Sequence, residues 1–268
     1  MKSKTIKYAM YFVFLAVAGI LIYHFYGRWW VQQQVDLILF KGLTKDQISS
    51  ITGEWKKKTN ESAEWRKNVV GAAFVGVACG NDENIIRAFL RVGYSPNSQT
   101  REGVTPLHCA AGNGNFVLVK DFVAAGADLK ARTTEDELLP LHYAASSRQW
   151  DVVRFFVKKG ISIDEPSKHG TAVMVVANDE IVRRISNNMG KRGKDTQRQN
   201  ESLTASVGVL ASLGAKLDTV APDGTTLMHY AARAQEPVLM DTLATKHGLL
   251  ANVKNLRGET PLMFAFRE

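Results

Sequence analysis

Residues 105–128 decide the fold. They read Thr105-Pro106-Leu107-His108-Cys109-Ala110-Ala111, then Gly114-Asn115, Val119 and Gly126-Ala127-Asp128. A Thr-Pro pair marks a helix start, because the threonine caps free amides and an early proline loses no needed N–H. The small Ala110-Ala111 pair lets neighbouring helices approach closely. Val119, Phe122 and Val123 then recur at helical spacing. Gly126 closes that second helix in the left-handed conformation glycine tolerates. The stretch therefore predicts a helix–turn–helix hairpin.

The pattern recurs along the chain. Leu139-Pro140-Leu141-His142-Tyr143-Ala144-Ala145 repeats it and runs to Gly160. A weaker copy starts at Ala72 and ends at Gly93-Tyr94-Ser95-Pro96-Asn97. Later copies begin at Thr171 (TAVMVVA), Thr226 (TLMHYAA) and Thr260 (TPLMFAF), so the starts lie 33, 34, 32, 55 and 34 residues apart. The long interval is one unit plus about 22 inserted residues. In that unit the first helix is expected to run on through Asp179–Arg184, and the second to resume near Leu203 and end at Gly214. The polar stretch 187–202, NNMGKRGKDTQRQNES, buries no face and should project as a loop. No single unit can bury both of its faces, so the units must stack.

These units resemble the ankyrin repeat, whose motif reads TPLHxAA and ends in GAD. The resemblance covers residues 69–268, in two strong and four partial copies starting near 72, 105, 139, 171, 226 and 260. It implies an all-α ankyrin-repeat solenoid of helix–turn–helix units with short β-hairpin fingers, working by protein–protein interaction. It also implies that His108, His142 and His229, one per repeat, bond neighbouring backbone and are not metal ligands. The unit at Thr260 stops within its first helix and reads as a C-terminal cap. Its Leu262, Met263, Phe264 and Phe266 must pack inward or be covered by a partner.

Partner contacts are expected on the finger tips and the exposed ends of first helices, which the resemblance makes the concave surface. Fingers offer Gln99, Arg101, Glu102, Arg132, Thr134, Glu135, Asp136, Lys168, His169, Val220, Asp223, Asn255 and Arg257. The helical edge adds Asn113, Arg148, Trp150 and Arg233. Aromatic and arginine side chains among them are the usual anchors of protein interfaces. For any one of these residues, an ordinary solvated surface is the simpler account.

Upstream, Tyr8–Tyr26 reads YAMYFVFLAVAGILIYHFY, with no acidic residue, lysine or arginine. As a helix it would rise about 28 Å, near the thickness of a bilayer core. Tyr8 and Tyr11 at one end, and Tyr23, Tyr26, Trp29 and Trp30 at the other, suit the two interfaces. Ala16-Val17-Ala18 resembles a signal-peptidase site, but the apolar run continues past it, which favours an uncleaved signal anchor. Lys2, Lys4 and Lys7 crowd residues 1–7 and put that tail in the cytoplasm by the positive-inside bias. The repeats would then lie outside the cytoplasm, in a bacterium in the periplasm. Residues 27–68, with Trp55 and Trp65, read as a helical cap on the first repeat or as a spacer.

The formal charge of +8 does not make a nucleic-acid binder. Four of those charges flank the apolar run. The stretch 183–200 holds six basic residues against Asp195, which leaves the remainder close to neutral, and no basic face emerges elsewhere. There is no Gly-x-Ser-x-Gly, phosphate-binding loop, His-Glu-x-x-His or dinucleotide fingerprint. No cofactor, metal or small-molecule substrate is expected. Cys79 and Cys109 fall on neighbouring first helices three positions out of register, which favours small unpaired core residues over a disulfide. The sequence thus reads as a membrane-tethered binder of another protein, such as an immunity protein against a delivered toxin or an accessory factor of an envelope enzyme. A cytoplasm-facing adaptor is the alternative, with Lys191–Arg198 against anionic lipid. A hydrolase with an unrecognised site ranks last.

Overall fold

The computed structural model describes residues 72–266, apart from 73, 82, 92–93 and 189–201. Residues 74–79 are helical, followed by α1 (Glu83–Arg91), α2 (Pro106–Asn113), α3 (Phe116–Ala124), α4 (Pro140–Ser146) and α5 (Trp150–Lys158). Then come α6 (Ala172–Asn188), α7 (Leu203–Ser212), α8 (Leu227–Arg233), α9 (Pro237–His247) and α10 (Pro261–Ala265). The first helices form one layer, in which α2 packs on α4, α4 on α6, α6 on α8 and α8 on α10. The second helices form the other, with α3 against α5 and α7 against α9. Each unit touches its neighbours, giving a linear array with a continuous core.

Local chemistry sets each hairpin. Thr105 and Thr260 accept a hydrogen bond from the amide three residues on, and Pro106, Pro140 and Pro261 open their helices. The small pairs Ala110-Ala111, Ala144-Ala145 and Ala231-Ala232 are buried where first helices stack. Phe74 on a first helix, and Phe122 and Phe156 at matching positions of α3 and α5, lie in the core with no exposed surface. Gly126, Gly160 and Gly214 adopt φ of 87°, 88° and 89° and face open space, so their role is conformational alone.

Three expectations change. First, the fingers are single turns, not β-hairpins. Among the described residues there are no strands, only the isolated bridges Ser167–Gly170 and Val220–Thr226. A finger such as 100–104 closes on itself and touches the next through one backbone bond, too little for a ladder. Second, Cys79 and Cys109 form a disulfide, with Cα atoms 4.8 Å apart, within the normal range for one. The two helices approach closely enough here to bring the cysteines within bridging distance despite the difference in sequence register. Third, α6 extends to Asn188, so the first two residues of the expected insertion are helical. In the last unit Phe264 packs inward, whereas Leu262, Met263 and Phe266 are exposed, Phe266 at 80%.

No helix among the described residues is long and apolar enough to cross a membrane. The span expected at Tyr8–Tyr26, the segment 27–68 and residues 189–201 lie outside the described residues.

The disulfide joins the first unit to the second across 30 residues of sequence. Closing such a loop should stabilise the fold by about 2–4 kcal/mol. Denaturant titration of the Cys79→Ser/Cys109→Ser variant should show that loss, and the oxidised protein should present no reactive thiol. Two titratable thiols in the unreduced protein would contradict the pairing.

Candidate binding surface

The fingers align along one edge of the array. The Thr134 N–H donates to the Glu102 carbonyl at 2.9 Å, Lys168 to Asp136 at 3.0 Å, and Leu256 to Asp223 at 2.9 Å. Each junction is braced from below by a histidine. The Thr105 N–H donates to His108 Nδ1 at 3.1 Å, and His108 Nε2 donates to the Leu138 carbonyl of the next unit at 3.0 Å. His142 links the Leu139 N–H to the Glu165 carbonyl in the same way, and His229 links Thr226 to Glu259. Accepting at Nδ1 while donating at Nε2 requires the neutral ring. Burial pushes the His108 and His142 pKa values down to about 4, although the carbonyls they bond favour the charged form.

Finger spacing leaves no room for a side chain at Gly103 or Gly224. Gly103 has φ +74°, and a Cβ there would lie 2.9 Å from the Arg132 carbonyl and from the Thr134 amide. Gly224 meets Leu256 N at 2.8 Å in the same manner. Gly103→Ala should therefore cost more than Gly126→Ala, about 2–3 against about 1 kcal/mol in denaturant titration. Equal losses would show that the fingers do not touch.

Below the fingers of the third and fourth units lies a cavity of about 240 Å³. Asp136 and His169 reach it from the fingers. Tyr143, Ser146 and Ser147 come from α4 and its end, and Asn178 and Asp179 from α6. His169 Nε2 lies 2.9 Å from Asp136 Oδ1, and the Ser146 hydroxyl donates to Asp179 Oδ2. Burial raises the Asp179 carboxyl pKa, while the Ser146 bond and the charges of Arg148 and His169 oppose the rise. Among the described residues no cluster of histidine, cysteine or acidic side chains has the form of a metal site.

The family model for ankyrin repeats (three copies) matches residues 74–167. The crystal structure of the ankyrin repeat domain of Bcl-3, described as a unique member of the IkappaB protein family, is similar with a TM-score of 0.53. It is 18% identical, over 72% of this chain and 77% of that one, a likeness of fold alone. No curated protein matches the chain. Residues 74–167 are ankyrin repeats. These repeats make the chain a protein–protein interaction module.

On this ankyrin array the expected contact residues separate into two groups. Arg101, Glu102, Glu135, Lys168, His169 and Arg257 are exposed on fingers, and Asp136 and Asp223 are half-buried there. The others serve the array itself. Arg132 donates to the Glu137 and Pro166 carbonyls at 3.1 and 2.7 Å and pairs with Glu165 at 3.3 Å. Arg148 is 8% exposed and pairs with the fully buried Glu180 at 2.7 Å, its Nε bonding the Ser206 hydroxyl at 3.1 Å. Arg233 covers the Phe264 ring at 5.4 Å, and Trp150 packs half-buried against the core. Arg148 follows α4, and Arg233 is the last residue of α8. Arg148 has φ 56°, and this left-handed residue turns its side chain under the next unit.

Tyr143, Ser146, Ser147, Asn178 and Asp179 escaped the sequence reading. A signal was present. Ser146-Ser147 and Asn178-Asp179 occupy the same motif position as Gly112-Asn113, and Asn113 of that pair is an expected contact residue.

Proposed function

We propose that this protein is a membrane-tethered binding module whose concave ankyrin face, of finger tips and first-helix ends, holds another protein on the extracytoplasmic side. The observation that carries the binding reading is the row of fingers, joined by backbone bonds at three of its junctions, above a groove that Asp136, His169, Ser146 and Asp179 help to line. Such a row presents a pre-formed surface to a partner, and pre-formation lowers the ordering cost of association. The charge-free Tyr8–Tyr26 run supports the tether, and Lys2, Lys4 and Lys7 support its orientation. The Cys79–Cys109 disulfide supports the same side, because disulfides persist in oxidising compartments. The repeats account for most of the chain, which supports a binding role.

Purification of the full chain from membranes in mild detergent should co-recover one protein in stoichiometric amount. Reporter fusions at residue 268 should be active in the form that works outside the cytoplasm and silent in the form that works inside. The opposite reporter pattern would replace this reading with a cytoplasm-facing adaptor. Repeated recovery of the chain alone would overturn the binding role.

A further inference from the structure

The cavity of the third and fourth units is built for a definite kind of guest. At about 240 Å³ it falls below the roughly 300–1,000 Å³ of small-ligand pockets and suits a single side chain. Asp136 and Asp179 both line it, and among the described residues no lysine or arginine does. The nearby cations are already engaged. Arg148 is paired with Glu180 at 2.7 Å, and Lys168 lies 4.0 Å from Glu137. His169 is bonded to Asp136. Each aspartate uses one oxygen in a hydrogen bond, and its other oxygen has no partner among the described residues. Tyr143 and Asn178 also line it, with the apolar Leu138 and Val175 beside them.

We propose that this cavity is a subsite for one cationic side chain, lysine or arginine, projecting from the protein that the concave face binds. The inference rests on the binding reading above and adds the chemistry of one anchor. A guanidinium or ammonium would take the second oxygens of Asp136 and Asp179 from opposite walls, finger and helix. Its alkyl stem would lie along Tyr143, as the stems of long cationic side chains lie on apolar surface. Raised by burial, the Asp179 carboxyl is the group that gains most from a fixed cation.

The test uses the full chain and two small probes, acetyl-arginine amide and its neutral isostere acetyl-citrulline amide. Amide NMR signals of Ser146, Ser147, Asn178 and Asp179 should shift saturably with the arginine probe. Charge-assisted hydrogen bonds should make the citrulline probe about tenfold weaker. Asp136→Asn, on the exposed finger, and the Asp136→Asn/Asp179→Asn pair should weaken the arginine probe in the same sense. Equal response to both probes, no response, or a response indifferent to these substitutions overturns the subsite. A partner that binds Asp136→Asn/Asp179→Asn as well as wild type also overturns it and leaves the broader binding role standing. Arginine-probe binding in a protein that recovers no partner leaves the subsite and removes the broader role.

Discussion

Lowering the pH from 7 to 4 should cost this protein several kcal/mol of stability through two buried histidines. His108 and His142 are held neutral in the fold with pKa values of about 4, against an ordinary value of 6.5. Between those values the unfolded chain takes up protons that the folded chain refuses, so stability falls as pH falls. Their contribution is fully present above pH 6.5 and is lost through pH 4, where the loss levels off. At about 1.4 kcal/mol per pH unit, each histidine accounts for about 3 kcal/mol over the window. Denaturant titrations at pH 7, 5.5 and 4 should show the slope, and His142→Gln should remove about half of it. A variant whose slope equals the wild type would mean that the ring is not buried in its neutral form.

Arg148→Met should destabilise the fold by about 3–5 kcal/mol, because it leaves the Glu180 carboxylate in the interior without its cation. The pair spans the junction between the third and fourth units, and Ser206 on α7 bonds the same guanidinium. The exposed Arg154–Asp151 pair is the internal comparison, and Arg154→Met should cost no more than about 1 kcal/mol. Replacing both buried partners, as Arg148→Met/Glu180→Met, should recover much of the loss because no lone charge remains. Equal small effects at Arg148 and Arg154 in denaturant titration would show that the buried pair carries no weight.

The array was legible in the sequence because its devices are local. Thr-Pro and the closing glycine each act within one unit, Ala-Ala marks where the next unit stacks, and repetition fixes their phase. What was not legible depends on how units lean on each other. The Cys79–Cys109 bond needs the lateral approach of two helices as well as their register. Arg148 sits at the edge of its helix in sequence, yet its left-handed backbone sends it inward to Glu180. The cavity is composite in the same way, since Asp136 and Asp179 are 43 residues apart and meet only across a unit junction. Unit four also departs from the motif. Met174 stands where the second, third and fifth units have histidine, and it packs against Gly170 with no N–H to offer the next finger.

The most direct test of the concave binding face is site-specific photocrosslinking in the full chain. A photoreactive residue at Glu135 on a finger should link covalently to one protein partner. The same residue at Arg154 on the second-helix face should give no such product. Equal crosslinking from both faces, or crosslinking from Arg154 alone, would contradict the account.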